Sequence, residues 1–219
     1  MPAKGDHDAR RRDVSDAVWN VLAEHGFGGL TMRAVAARMG ASTGLVSHYF
    51  PSKQALLRHA LDLAEERTAA RPRHVAAGPG LAALRAALLD VLPVTPELTA
   101  VSRAWVSFWD AALADPALGA SQTARYDRWR ARLRTHVETA RDLGELPLAT
   151  DTDQVVAIAA AFAHGLVVQA LFDQAQFPPA RQVELLDGFL GTLGHPPGTG
   201  VPVATDRQST RDQWKSVQP

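Results

Sequence analysis

Residues 31–53 of the chain, TMRAVAARMGASTGLVSHYFPSK, hold the signals that decide its fold. Thr31 can cap the start of a helix, and Gly40 ends that helix with a residue that tolerates a left-handed backbone. Ser42 can cap a second helix, which Pro51 ends. Because the connection between the two helices is so short, they must cross at a steep angle. The stretch therefore predicts a helix-turn-helix.

The second of these helices, residues 43–50, has an unusual outward face. Its inward positions are apolar or aromatic: Leu45, Val46, Tyr49 and Phe50. Its outward positions are small or form hydrogen bonds: Thr43, Gly44, Ser47 and His48. A mid-helix glycine costs roughly 1 kcal/mol, so Gly44 makes most sense where another backbone must come close. Such a face suits the major groove of DNA.

The distribution of charge adds to this interpretation, although the bulk composition does not. The chain has 23 Lys and Arg and 23 Asp and Glu, so its formal net charge is zero. Residues 1–60 carry eight basic and five acidic side chains, an excess of three positive charges beside the helix-turn-helix. The run Arg10-Arg11-Arg12 fits a solvated charge cluster and a DNA-contacting arm equally well.

Composition also narrows the class of protein. The chain has no cysteine, which excludes disulfides and thiol catalysis and fits the cytoplasm. No apolar stretch follows the basic N-terminus, so we expect no signal peptide. The most apolar segment, residues 155–168, is short and interrupted by His164, so we expect a core helix and no membrane partner.

Helical periodicity runs through nearly the whole chain, so the predicted fold class is all-α. We expect an N-terminal three-helix DNA-binding domain, followed by a helical ligand-binding and dimerisation bundle. The predicted units are a flexible arm (1–8), the helix-turn-helix domain (9–52), the bundle (53–194) and a disordered tail (195–219). Proline and glycine delimit the later helices, predicted at 80–92, 97–114, 117–143, 151–174 and 179–193.

Aromatic residues at helical spacing in the bundle are either core or the lining of a ligand chamber. We take as candidate ligand-binding residues Trp105, Phe108, Trp109, Tyr126, Trp129 and Phe162. With Asp110 or Glu138, several of them could hold a quaternary ammonium group by cation–π attraction. Packing in the core is the alternative, and the more usual use of such stripes.

The last two helices are the predicted dimer interface. The helix at 151–174 is apolar round most of its circumference, which is more than one chain can easily hide. We therefore expect a twofold interface, with candidate contacts at Val155, Phe162, Leu166, Val183, Leu186 and Phe189.

Residues 31–53 resemble the DNA-binding domain of the TetR family of transcriptional regulators. The shared features are the Gly-x-Ser-x-Gly run from Gly40 to Gly44, the aromatic pair Tyr49-Phe50, and Lys53. Most members carry Tyr where this chain has Ser47, and the variant Ser-His-Tyr-Phe resembles the BetI subgroup. The resemblance and the outward face together predict these DNA contacts: Thr31, Arg33, Ser42, Thr43, Gly44, Ser47, His48, Tyr49 and Lys53.

The resemblance implies a repressor that binds a palindromic operator as a homodimer and is released by a small molecule. BetI regulators imply a choline-like effector, and another cationic or aromatic compound is the wider class. We expect no cofactor, no metal and no enzymatic activity, because no catalytic spacing occurs among the eight histidines. A transcriptional activator and an uncharacterised helical enzyme are the alternatives.

Overall fold

The structure, a computed structural model, is helical wherever residues 4–194 form regular structure. It describes the backbone of residues 4–194 and the side chains of residues 10–194, so the predicted tail at 195–219 lies outside the described residues. The helices are α1 (Lys4–Gly29), α2 (Met32–Arg38), α3 (Thr43–Tyr49), α4 (Lys53–Ala70), α5 (Leu81–Leu89), α6 (Pro96–Ala114), α7 (Pro116–Asp142), α8 (Thr152–Phe172) and α9 (Pro179–Leu193). The all-α prediction is confirmed.

Side-chain caps start α2, α3 and α4 where the sequence predicts them. The Thr31 hydroxyl accepts a hydrogen bond from the backbone N–H of Ala34 at 3.0 Å, and the Ser42 hydroxyl accepts one from Leu45 at 3.3 Å. Ser52 does the same at the start of α4. Gly40 lies in the left-handed region, with φ of 60°. The short turn between α2 and α3 is therefore built as predicted.

Helix α1 begins earlier than expected. It begins at Lys4, so most of the predicted flexible arm of residues 1–8 is helical. Asp6 and Asp8 follow at once, and acidic residues near a helix N-terminus are favourable, a signal that the prediction overlooked. At the other end, Gly26 breaks the helix with φ of 66°. The three residues after it form one more helical turn.

The core around α1 to α3 extends beyond the predicted segment 9–52. Its buried residues come from α1 to α4 and also from α6, which contributes Trp105 and Phe108. Phe108 is 1% exposed and its ring lies 5.1 Å from that of Phe27. Helices α1 to α3 alone bury too little apolar surface to be stable, so α4 and α6 complete this core.

A second core joins α5, α7, α8 and α9. Its fully buried side chains include Leu84, Leu133 and Leu186, one from each of α5, α7 and α9. The carboxylate of Glu145, after α7, accepts a hydrogen bond from the backbone N–H of Leu81 at 2.7 Å. This bond caps α5, which has no cap of its own.

Helix α8 has the length and composition of a membrane span. It runs for 21 residues from Thr152 to Phe172, longer than the segment judged too short to cross a bilayer. Within its apolar window, 44% of the residues are buried inside the protein. The core helix of a protein can have this length and composition too, and α8 packs against α6, α7 and α9.

Two neighbouring glycines test the bend that ends α1. At Gly26 a side chain would be strained at φ of 66°, and its Cβ would lie 2.6 Å from Cβ of Ser107. We expect Gly26→Ala to lower the free energy of unfolding by about 2 kcal/mol or more. The control is Gly28→Ala, whose Cβ meets nothing within 4 Å. We expect that control to change stability by less than about 0.5 kcal/mol. Urea unfolding followed by circular dichroism gives both values, and equal losses would contradict this account.

Candidate functional site

Helix α3 presents its predicted outward face to solvent. Thr43, Gly44, Ser47 and His48 are exposed, whereas Val46 and Phe50 are buried in the core. Of the other predicted DNA contacts, Thr31, Arg33, Ser42 and Lys53 are exposed and Tyr49 is half-buried. The nine positions thus lie on α3 and on the helix starts beside it, and their contact with DNA stays a prediction.

Gly44 is not required by packing within the chain. A Cβ at this position would meet only the hydroxyl oxygen of Ser42, at 3.7 Å, which is ordinary contact. The backbone of α3 is therefore bare toward solvent at this point. This is the geometry expected where a helix approaches another molecule closely.

The two arginines of α2 point in different directions. Arg38 forms an ion pair with Glu24 on α1, with Nη2 2.8 Å from Oε1. Arg33 is exposed and has no carboxylate within 4.0 Å among the described side chains. Arg33 is therefore available to an external anion, and Arg38 is held against the protein.

A cavity of about 560 Å³ lies between the end of α4, the loop after it, α5 and α7. Three of the six predicted ligand-binding residues line it: Trp105, Tyr126 and Trp129. The other three do not. Phe108 is enclosed in the core of the DNA-binding domain, and Phe162 stacks on Phe189 with ring centroids 4.6 Å apart. Helical periodicity shows which residues are apolar but not which of two cores they enter.

Trp109 contacts this cavity only through a neighbour. Its ring packs edge-on against His164, which does line the cavity, with centroids 5.5 Å apart. The carboxylates of the predicted ammonium site are also absent from the lining. Asp110 and Glu138 lie elsewhere, and the carboxylates present are Glu65 and Asp90.

His164 lies among three aromatic rings. Its ring centroid is 4.9 Å from Trp129 and 5.0 Å from Tyr126, and Trp109 completes the surround. Burial, together with the positive charges of Arg125 and Arg130, lowers the pKa of His164 to about 4. The imidazole is therefore neutral at pH 7.

Arg125 covers the face of Trp105. Its guanidinium carbon is 3.5 Å from the centre of the ring, and Nε and Nη2 donate to the amide oxygen of Gln122 at 3.1 and 2.9 Å. Burial lowers the pKa of Arg125 to about 10, so the group remains a cation at pH 7.

The exposed apolar face of α8 and α9 differs from the predicted dimer contacts. Val155, Leu166 and Leu186 are buried in the core of one chain and leave a second copy little surface to contact, whereas the prediction placed them in the interface. Val183, Phe162 and Phe189 remain partly exposed. Ile158 is 48% exposed and Phe172 is 86% exposed. An all-apolar helix carries no signal of which stripe faces its own chain.

Two family models together match most of the chain. Residues 80–195 match the C-terminal domain of BetI-type transcriptional repressors, and residues 15–60 match the tetR family of bacterial regulatory proteins. The chain belongs to the TetR family.

Relatives of this TetR-family chain include named regulators. It is 31% identical over 110 residues to the HTH-type transcriptional regulator PksA of Bacillus subtilis, covering 49% of this chain and 54% of PksA. It is 36% identical over 124 residues to BetI of Burkholderia thailandensis, covering 54% of this chain and 62% of that protein. The match to BetI of Burkholderia mallei is 35% over 138 residues and covers 61% and 70%. The matches thus span between 54% and 70% of the length of these relatives.

Solved structures share the fold of the TetR-family chain. A putative transcriptional regulator from Saccharomonospora viridis, crystallised in complex with choline, has a TM-score of 0.72 at 22% identity. The alignment covers 84% of this chain and 96% of that one. A transcriptional regulator from Rhodococcus has a TM-score of 0.63 at 25% identity, covering 83% and 94%.

The arginines around the cavity were missed by the sequence analysis. Arg125, Arg128 and Arg132 recur on α7 at helical spacing and line the cavity beside Trp129. Their spacing places them on one face of the helix, and this was the available signal. Charged residues on a helix usually form a solvated face, so this spacing alone does not indicate a cavity.

The lowered pKa of His164 predicts a loss of stability in mild acid. Below pH 6.5 the unfolded chain binds this proton more strongly than the folded chain does, so protonation favours unfolding. We expect His164→Phe to remove this contribution, making the free energy of unfolding less steep between pH 6.5 and pH 4, by up to about 1.4 kcal/mol per pH unit. The exposed His48→Gln is the control and should match the wild type. Urea unfolding at several pH values gives the slopes, and equal slopes for His164→Phe and wild type would rule the effect out.

Proposed function

We propose that this TetR-family chain is a ligand-responsive transcriptional repressor that binds a palindromic operator as a homodimer. The observation that carries the proposal is the outward face of α3: it is exposed, held by capped helices, and made of small and hydrogen-bonding residues. Repressors of the BetI type among its relatives support the same function.

In this proposal α3 lies in the major groove. Ser47 and His48 at its exposed centre would meet base edges, while Thr31, Arg33 and Lys53 at the flanks would meet phosphates. Because phosphate contacts position the protein and base contacts specify the sequence, these two sets have different roles. The remaining predicted contacts, Ser42, Thr43, Gly44 and Tyr49, lie between them.

A second copy of the chain is the proposed partner of α8 and α9. The apolar residues left exposed on these helices, Ile158 and Phe172 among them, would form the twofold interface. One small DNA-binding domain with a modest positive charge binds DNA weakly. Two such domains about 34–36 Å apart would contact successive major grooves and read a palindrome.

The cavity beside α4 is the proposed effector site. The last turns of α4 contribute Thr68 and Ala69 to its wall, and the same helix begins directly after α3 at Lys53. A ligand that binds more tightly when α4 takes a different position would tilt the two DNA-binding domains away from the major groove.

The effector is proposed to be a small aromatic molecule, one of the classes of compound predicted from the sequence. Tyr126 and Trp129 would supply the aromatic surface. A structural neighbour at 22% identity holds choline. A regulator of this kind acts on cytoplasmic DNA, so we place the protein in the cytoplasm. It has no catalytic role in this proposal.

The operator test uses the two arginines of α2. We expect the purified protein to retain genomic fragments that share a palindrome, identified by sequencing. Arg33→Ala should weaken binding to that palindrome and reduce the salt dependence of log K by roughly one unit in each head, as for one lost phosphate contact. Arg38→Ala should affect binding little, because Glu24 already holds Arg38. Retention of no specific fragment, or equal losses in the two variants, would overturn the proposed function.

The dimer test introduces charge on α8. We expect Ile158→Arg to weaken the dimer at least about a hundredfold, since the new charge would be buried without a partner. DNA affinity should fall with it. Leu148→Arg is the control, because Leu148 is 86% exposed and lies before α8. Sedimentation velocity measures the association of both variants, and a dimeric Ile158→Arg protein would place the interface elsewhere.

A further inference from the structure

The cavity beside α4 is lined by an excess of positive charge. Five arginines and two carboxylates contribute to the wall, which leaves three formal positive charges without a counter-charge. The arginines are Arg71, Arg73, Arg125, Arg128 and Arg132. They come from α7 and from the loop after α4, so they surround the space from two sides.

One of the two carboxylates is already fully used. Asp90 is buried and accepts hydrogen bonds from the backbone N–H of His74 at 2.9 Å and, with its other oxygen, from Arg73 at 3.5 Å. The imidazole of His74 lies 3.0 Å from the same carboxylate. Asp90 therefore accounts for one of the five arginines.

The other four arginines have no such partner. Among the described side chains, no carboxylate oxygen lies within 4.0 Å of the guanidinium groups of Arg71, Arg125, Arg128 or Arg132. Glu65, the second carboxylate of the lining, is exposed to solvent, as are Arg128 and Arg132. The half-buried Arg71 and Arg125 have no carboxylate partner, and the lining as a whole carries more positive than negative charge, which favours an anion as ligand.

Arg71 shows most clearly that the cavity lacks an anionic partner for its cations. Its Nε is shielded from solvent and has no hydrogen-bond partner among the described residues. Burial also lowers the pKa of Arg71. A buried charged donor without a partner is unfavourable, and an oxyanion in the cavity would satisfy it.

The aromatic wall of the cavity does not offset this charge for a cation. The face of Trp105, one of the two tryptophans in the lining, is already covered by the guanidinium of Arg125 at 3.5 Å. Tyr126 and Trp129 flank His164, and their rings can still pack against an apolar ring system. The cavity therefore combines an apolar aromatic side with a cationic side.

We propose that this cavity binds a small organic oxyanion, a carboxylate or a phosphate ester, whose apolar ring system packs on Tyr126 and Trp129 while Arg71, Arg128 and Arg132 bind its charge. The role of this oxyanion as the effector rests on the proposed function. Its binding to the cavity does not, so binding and release from DNA can be tested separately.

The first experiment measures ligand class on the full chain without DNA. Isothermal titration calorimetry compares naphthoate and naphthyl phosphate with the neutral naphthamide and with the cations choline and benzyltrimethylammonium. We expect at least one anion to bind about tenfold or more tightly than naphthamide, and both cations to bind more weakly than the anions. The two anions distinguish a carboxylate from a phosphate ligand.

The second experiment uses two arginines of α7 that are two residues apart. Arg132 faces the cavity, whereas Arg134 points away and pairs with Asp153. Arg132→Gln should weaken anion binding about tenfold, and Arg134→Gln should leave it unchanged. Arg71→Gln is a second cavity variant and should weaken binding similarly. Thermal unfolding followed by circular dichroism shows that each variant is folded.

Several results would overturn the proposal. They are tighter binding of either cation than of both anions, equal affinity for the anions and naphthamide, no binding of either anion at millimolar concentration, or equal losses in Arg132→Gln and Arg134→Gln. An anion that binds as expected but leaves the protein on its operator supports the site and contradicts its role in release. A protein that binds the anion but no DNA supports the site and contradicts the proposed function.

Discussion

The contact of Trp105 with its surroundings is the interaction on which the rest of the structure depends. Its ring packs edge-on against Phe108 in the core of the DNA-binding domain, with centroids 5.9 Å apart. Its Nε1 donates to the hydroxyl of Thr68 at 2.9 Å, and that hydroxyl donates to the carbonyl of Ala64 within α4. The same ring also lies under Arg125, on the wall of the cavity. One side chain thus joins the core that supports α3 to the site where a ligand would act.

Around Trp105, the groups that could bind a ligand also lower the stability of the fold. A guanidinium group that is desolvated without a carboxylate partner destabilises the folded chain, and Arg71 and Arg125 are both in this position. The two apolar cores offset that cost, since they lie on either side of the cavity. Unfavourable charge is thereby concentrated at the end of α4. An anionic ligand would relieve this unfavourable charge at the end of α4.

Local sequence signals made the structure of the DNA-binding half predictable. The other half has few such signals, so its cavity was harder to predict. Caps at Thr31, Ser42 and Ser52 and the left-handed Gly40 act within a few residues, so the turn and the outward face of α3 followed from the sequence. The cavity depends on contacts between residues far apart in the chain, such as Trp105 with Thr68. Periodicity could therefore identify Tyr126 and Trp129 as inward residues, but it misassigned Phe108, Phe162 and the buried part of α8.

The participation of α6 in the first core limits how this protein can be recombined with its relatives. Five buried residues of α6, Trp105 and Phe108 among them, complete a core whose other buried residues all come before residue 71. A chimera joined at the boundary of the helix-turn-helix would pair these side chains with foreign neighbours and leave gaps or overlaps in the packing. The smallest unit that evolution or an engineer could exchange intact is therefore discontinuous: α1 to α4 together with the facing stripe of α6.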